Sequence, residues 1–201
     1  MLLPRLVPRL RCGTPRGGPA DIESQLKPGQ ELAGHRIEAL IGGGGMGMVY
    51  QATELTLGRT VALKVLAPGI TDPHDRERFW REPKLAASIN HPNVIPIHQR
   101  GEADGRLFVT MQYVEDGDLR GLLEPWTPLA PALALRLVHQ VARALDAAHA
   151  LGLVHRDVKP ENILVDDPDG VPHAYLIDFG VAKHPRRRAL ILQPHLSGWV
   201  G

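Results

Sequence analysis

The sequence predicts an α+β chain in two unlike halves. Short runs with the alternation and β-branched content of strands occupy residues 35–67 and 91–115. One apolar stripe at helical spacing runs from Leu133 to Ala148. Between the halves, Gln112–Gly117 marks a change of texture and reads as a hinge.

The elements follow in order. Residues 1–30 are rich in Pro, Gly and Arg and read as a disordered arm. Arg5, Arg9, Arg11 and Arg16 precede any acid, so the rest of this +1 chain sums to about −3. The arm faintly resembles a transit peptide, but Pro4, Pro8, Pro15 and Pro19 break any amphipathic helix; a disordered leader or a misplaced start is expected instead. From His35, HRIEALIG, MVYQATE and VALKVLA read as strands, with a turn near Leu57-Gly58-Arg59. A helix is expected over residues 72–90, where Phe79, Glu82, Ala86 and Ile89 share a face. HPNVIPIHQRGE and RLFVTMQYVE read as two further strands around a turn at Ala103-Asp104-Gly105.

Beyond Gly117 the chain turns helical. Asp118 is placed to cap a short helix through Leu122 and Leu123. Pro131 suits a first helical turn. Leu133, Leu137, Val141, Leu145 and Ala148 form the apolar stripe, and Gly152 marks its end. LVHRDVKPENILV and HAYLIDFG read as strand-and-loop segments, and no internal repeat is present.

Composition narrows the function classes. A net charge of +1 gives no electrostatic case for nucleic acid, and no nucleic-acid partner is expected. One cysteine, Cys12, precludes an internal disulfide and suits a reducing cytoplasm. No window approaches 18 consecutive apolar residues, so no membrane span is expected. The histidines show no metal-ligand spacing, and no zinc site is assigned.

Four motifs carry chemistry. Gly42-Gly43-Gly44-Gly45-Met46-Gly47-Met48-Val49 satisfies G-x-G-x-x-G-x-V, where glycines let backbone N–H groups approach phosphates. Alone it is equally a turn between two strands. A Rossmann reading would need a helix next, whereas a β-rich stretch follows. Lys64 lies within Val61-Ala62-Leu63-Lys64-Val65, and an ammonium flanked by apolar residues seeks an anion; alone it could equally face outward. His155-Arg156-Asp157-Val158-Lys159-Pro160-Glu161-Asn162 and Asp178-Phe179-Gly180 follow. Asp157, Asn162 and Asp178 offer a base or hard oxygen ligands suited to magnesium-assisted phosphoryl transfer.

With all four motifs in order, the chain resembles bacterial Hanks-type (eukaryotic-like) Ser/Thr protein kinases, especially the actinobacterial kind with GGMGxVY in its glycine loop. The likeness covers roughly His35 to Lys183. It implies a bilobal protein-kinase-like fold: a complete β-rich N-lobe with helix C over 31–114, an incomplete helical C-lobe over 115–185, and an aberrant or truncated tail over 186–201. It implies ATP and Mg2+ (or Mn2+) as cofactors and Ser/Thr of proteins as acceptors. By resemblance the loop through Gly42, Gly44 and Gly47 would cover the phosphates. Lys64 would hold the α- and β-phosphates and pair with Glu82. Asp157 would accept the substrate proton, and Lys159 would neutralise the γ-phosphate. Asn162 and Asp178 would hold the metal. Ile41, Val49, Ala62 and Leu164 resemble adenine-pocket walls, Met111 the gatekeeper, and Gln112 to Val114 the hinge. Each of these also serves as ordinary core. His155, His91 and His149 read as structural.

Three departures shape the expectations. Pro83 follows Glu82, which predicts a kink or a cost of ~3 kcal/mol, non-helical geometry at Glu82 and a disturbed Lys64–Glu82 pair. Val181 to Leu196 lacks Ser, Thr and Tyr, so activation by loop phosphorylation is not expected and Arg156 lacks that partner; only Ser197 follows. Arg186-Arg187-Arg188 reads as a solvated run, and no A-P-E motif appears. An ATP-binding module without transfer, or an unstable gene fragment, is the alternative to an active kinase.

Overall fold

The computed structural model describes residues 25–44, 47–66, 73–123, 128–167 and 170–179. The strand-rich half forms a six-stranded antiparallel sheet. Its strands are β1 (Glu31–Leu32), β2 (His35–Gly44), β3 (Gly47–Glu54), β4 (Arg59–Leu66), β5 (Ile97–Ala103) and β6 (Arg106–Gln112), in the order β1-β2-β3-β4-β6-β5. Tight turns explain the neighbours: β3 and β4 pair through Glu54↔Arg59, and β5 and β6 close through Ala103↔Arg106. Between β4 and β5 the chain crosses through helix α1 (Pro73–Ser88), so β6 lies beside β4 and β5 falls on the edge.

Strand alternation divides the sheet into two faces. Tyr50, Ala52, Val61, Leu63, Val65 and Phe108 bury one face together with Leu32 and Ile37. On the other, Leu66, Leu107 and Val109 meet Phe79 of α1. Phe79 is 1% exposed, Ala86 6% and Ile89 5%, as the helical spacing predicts.

Helix α1 runs unbroken through Pro83, contrary to the expectation that the proline would force Glu82 out of helical geometry. The physical reason is tertiary. The Pro83 ring is buried and, with Phe79, Ala86, Ile97, Met111 and Phe179, lines the apolar part of a cavity that Lys64 and Asp178 also line. Burial of that ring offsets part of the lost helical hydrogen bond.

The helical half is built on α2 (Leu119–Leu122), α3 (Pro131–Ala150), a 3-10 turn (Pro160–Asn162) and the hairpin β7 (Ile163–Asp166) with β8 (His173–Leu176). Asp118 caps α2 by accepting from the Gly121 N–H at 2.8 Å, and Pro131 opens α3. Leu137, Val141, Ala144 and Ala148 bury one face of α3, while Leu133 and Leu145 pack at its margin. His149 is exposed in the last turn of α3, where a basic side chain suits the negative end of the helix.

A buried seam joins the halves. Val94 pairs with Leu176 in a parallel bridge, and Leu176 N–H donates to the Asn93 carbonyl at 2.8 Å. The Asn93 amide, 4% exposed, donates to Gln140 Oε1 at 3.0 Å and to the Ala174 carbonyl at 2.9 Å.

Gly101 lies opposite Phe108 in the β5–β6 register, and a Cβ there would stand 2.8 Å from the Phe108 ring. Phe108 is 2% exposed and has no room to yield. Gly101→Ala is expected to lower stability by about 1–3 kcal/mol in urea unfolding. An unchanged midpoint would show that the ring can move.

Candidate active site

The cleft lies where the second face of the sheet meets the β7–β8 hairpin. Directly opposed residues of antiparallel strands share a face. Val49 opposes Lys64, and Ala62 opposes Met111, so all four side chains project from the same side. Gly42 opposes Val49 and brings the glycine loop over that side. Gly47 has φ +148° and closes on the backbone of Val65, whose carbonyl oxygen a Cβ would strike. Only glycine fits there. Ile41, Val49, Met111, Gln112 and Leu164 are half-buried, and Ala62 and Val114 are nearly fully buried; Gln112 opposes Val61 and so projects from the first face of the sheet. Leu164 is carried under the hinge by a bridge to Asp118.

Lys64 Nζ stands 3.2 Å from Asp178 Oδ1, an ion pair across 114 residues. The lysine is 17% exposed and the carboxylate 47%, so the pair sits at the mouth of the cleft. Asp178 has φ +59°, an unfavourable conformation for a non-glycine residue that the packing around it sustains. Its neighbour Phe179 is 1% exposed and stands edge-on to His155 at 4.8 Å.

The second cluster lies in the segment from His155 to Asn162. Lys159 Nζ donates to Asp157 Oδ2 at 2.7 Å, and Asn162 Nδ2 donates to Asp157 Oδ2 at 3.0 Å and to the Asp157 carbonyl at 2.8 Å. His155 holds this loop to the hairpin. Its Nδ1 accepts from the Asp157 N–H at 3.3 Å, which leaves Nε2 to carry the proton and donate to the Ile177 carbonyl at 2.8 Å. The structural role expected for His155 is therefore realised, at 1% exposure. His91 also works locally, accepting from the Asn93 N–H at 3.1 Å. Arg156, between His155 and Asp157, is exposed with φ +68°.

The backbone of Glu82 lies in α1, while its side chain is outside the described residues, as are Gly45, Met46 and the whole segment from Gly180 to Gly201. The expectations for Ser197 and Arg186-Arg187-Arg188 fall in that segment. The motifs did not reveal a tie between hinge and hairpin. Gln112 Nε2 donates to the Tyr175 hydroxyl at 3.0 Å. Both residues lie on strands distant in sequence, so no local pattern signals it.

Residues 35–194 match the protein kinase domain, and the chain belongs to the protein kinase family. Among curated relatives, it is 45% identical over 164 residues to serine/threonine-protein kinase PknE of Mycobacterium bovis, covering 81% of this chain and 28% of that protein. It is 46% identical over 156 residues to PknD of Mycobacterium tuberculosis, covering 77% and 23%. Among solved structures, the Mycobacterium tuberculosis PknI kinase domain superposes with a TM-score of 0.65 at 37% identity, covering 80% of this chain and 65% of that one. The chain thus spans about a quarter of the length of these curated relatives. The protein-kinase fold implied by the resemblance is the fold observed, and the chain spans 65% of that solved kinase domain.

The hydrogen bond from Lys159 holds the Asp157 carboxyl below its ordinary value of 3.8, aided by Asn162. The same bond holds Lys159 above 10.5. A lowered carboxylate pKa contributes stability above its unfolded value, and that contribution is lost as pH falls through the folded one. A raised lysine pKa contributes below its unfolded value and is lost as pH rises through the folded one. The pair therefore persists from about pH 4 to about pH 10. In Lys159→Ala, the Asp157 carboxyl is expected to titrate at higher pH by carbon-13 NMR. An unmoved titration would assign the shift elsewhere.

Proposed function

We propose that the chain is the nucleotide-binding and catalytic-loop portion of a Ser/Thr protein kinase, with lobes over 31–114 and 115–185. It would transfer the ATP γ-phosphoryl group to a Ser or Thr hydroxyl of a protein, in the cytoplasm. The observation that carries this reading is the Lys64–Asp178 pair beside the Asp157–Lys159–Asn162 cluster, the two joined where the Ile177 N–H donates to the Asn162 carbonyl at 3.0 Å. Two cations and two carboxylates, drawn from both halves, suit a reaction whose catalysis is alignment and charge stabilisation.

The residues fit the implied Mg2+. Asn162 commits its amide N–H2 to Asp157, so the end it can offer a cation is its oxygen, and Asp178 supplies a hard carboxylate. Among the described residues, no three His, Cys, Asp or Glu side chains form a metal cage. Mg2+ needs none, since one or two protein oxygens suffice beside phosphates and water. When bound, the metal would neutralise phosphate charge. Lys64 would orient the α- and β-phosphates, with Glu82 proposed as its helix partner. Asp157 would orient the acceptor hydroxyl and take its proton as the oxygen attacks phosphorus. Lys159 would balance charge on the transferring group. Ala62, Val49, Ile41 and Leu164 would enclose adenine beneath Met111, with Gln112 to Val114 reading its edge.

A second reading, nucleotide binding without transfer, is favoured by Leu135 and Val138. These side chains of α3 are 72% and 65% exposed and leave an apolar flank on the helical half. Among the described residues, no helix is long and apolar enough to cross a membrane.

Mg·ATP at 100 times its Kd is expected to stabilise the chain by about 2.7 kcal/mol, raising the melting temperature by roughly 5–11 °C. Lys64→Ala should abolish the rise. Asp157→Asn should keep it yet reduce label transfer to a protein acceptor by about 10²–10⁴-fold. A rise without transfer in the parent would select the second reading, and no rise would reject both.

A further inference from the structure

Helix α1 carries a defect that the rest of the fold has to answer. Pro83 has no N–H to give the Phe79 carbonyl four residues back, and its ring presses on that carbonyl. The turn from Phe79 to Pro83 is therefore the weakest of the helix, and Glu82 lies within it. Tertiary contacts reach this turn from β5. Arg100 Nη1 donates to the main-chain carbonyl of Trp80 at 2.9 Å, and the guanidinium carbon lies 5.4 Å from the centre of the Trp80 ring. One side chain thus holds both the backbone and the indole of the residue three before the proline. A second tie runs parallel to it: Arg76 Nη2 stands 3.5 Å from Glu102 Oε2. Arg100 and Glu102 are two apart on a strand, hence on one face of β5. Arg76 and Trp80 are four apart on a helix, hence one above the other on α1. The two ties form a registered clamp.

We infer that Arg100 is a positioning residue, which clamps the proline-weakened turn of α1 to β5 and so sets the pose of the helix on which Glu82, the proposed partner of Lys64, lies. A charge-assisted bond to a main-chain carbonyl is stronger than a neutral one and supplies a donor beside the turn that lacks one. The planar guanidinium can bond in its plane and lie over an indole at once, which an ammonium cannot match. The link to the nucleotide rests on the function proposed above.

The test uses this whole chain in four forms: parent, Arg100→Ala, Pro83→Ala and the double substitution. Hydrogen–deuterium exchange of residues 73–88 is read without nucleotide, and Mg·ATP affinity is read separately. Arg100→Ala is expected to speed exchange in α1 by about tenfold while β3 and β4 keep their protection. It should also weaken Mg·ATP binding by about three- to tenfold. On the Pro83→Ala background, where the helical hydrogen bond is restored, the same substitution should change either quantity by less than about twofold. Equal effects on both backgrounds, loss of protection throughout the sheet, or no effect in the parent would each overturn the clamp. A parent that binds no Mg·ATP would overturn the proposed function and the clamp's link to the nucleotide. The exchange data would then judge the clamp on α1 alone.

Discussion

The seam on which the cleft depends is built around a buried amide, Asn93, one of several ties that join the two halves of the chain. Burying a side-chain amide is unfavourable unless its donors and acceptor find partners. The Asn93 N–H2 finds its acceptors on two different elements, Gln140 of α3 and the Ala174 carbonyl of β8. Gln140 is tied in turn, donating to the Pro172 carbonyl at 3.0 Å and accepting from the Ala174 N–H at 2.6 Å. The sheet cannot shift against the hairpin without stranding several of these groups at once. Since β8 leads directly to Asp178, the joint also sets how far Lys64 must reach.

The charged groups of the cleft are arranged in pairs rather than singly. Lys64 has Asp178, and Lys159 has Asp157. These pairs are too exposed to add much to stability. Their consequence is geometric: each cation and each carboxylate holds its partner in place. Behind them, His155 works as a strut. One ring nitrogen accepts from the Asp157 N–H and the other bonds the Ile177 carbonyl at the strand end, so one ring fixes both. Its edge-on contact with Phe179 extends the strut into the apolar core.

Helix α1 shows local preference and global packing in conflict. The proline opposes helical geometry, yet the helix passes through it. A buried ring on the inner side and the Arg100–Trp80 contact on the side of β5 hold the opposed turn. Such conflicts are expected near sites where positioning matters more than local stability.

Much of this was legible beforehand. The glycine loop, Lys64, the HRD and DFG segments and the cap at Asp118 depend on residue types that a local backbone or a local charge requires, so their spacing exposes them. The α3 stripe was legible for the same reason, although Ala144 escaped notice because a small side chain adds little to an apolar pattern. The two-residue β1 was too short to show periodicity. Positive φ at Arg156 and Asp178 was hidden too, since Arg rarely adopts it and Asp adopts it only occasionally. The sequence by itself determined which donors, acceptors and charges the chain has, and the strands and helices that carry them. Only the tertiary structure decided which of them meet: β6 between β4 and β5, Lys64 on Asp178, His155 on Ile177, Arg100 on Trp80. These contacts join residues 20 to 114 positions apart, where burial and the satisfaction of polar groups choose the partner and no local pattern records the choice.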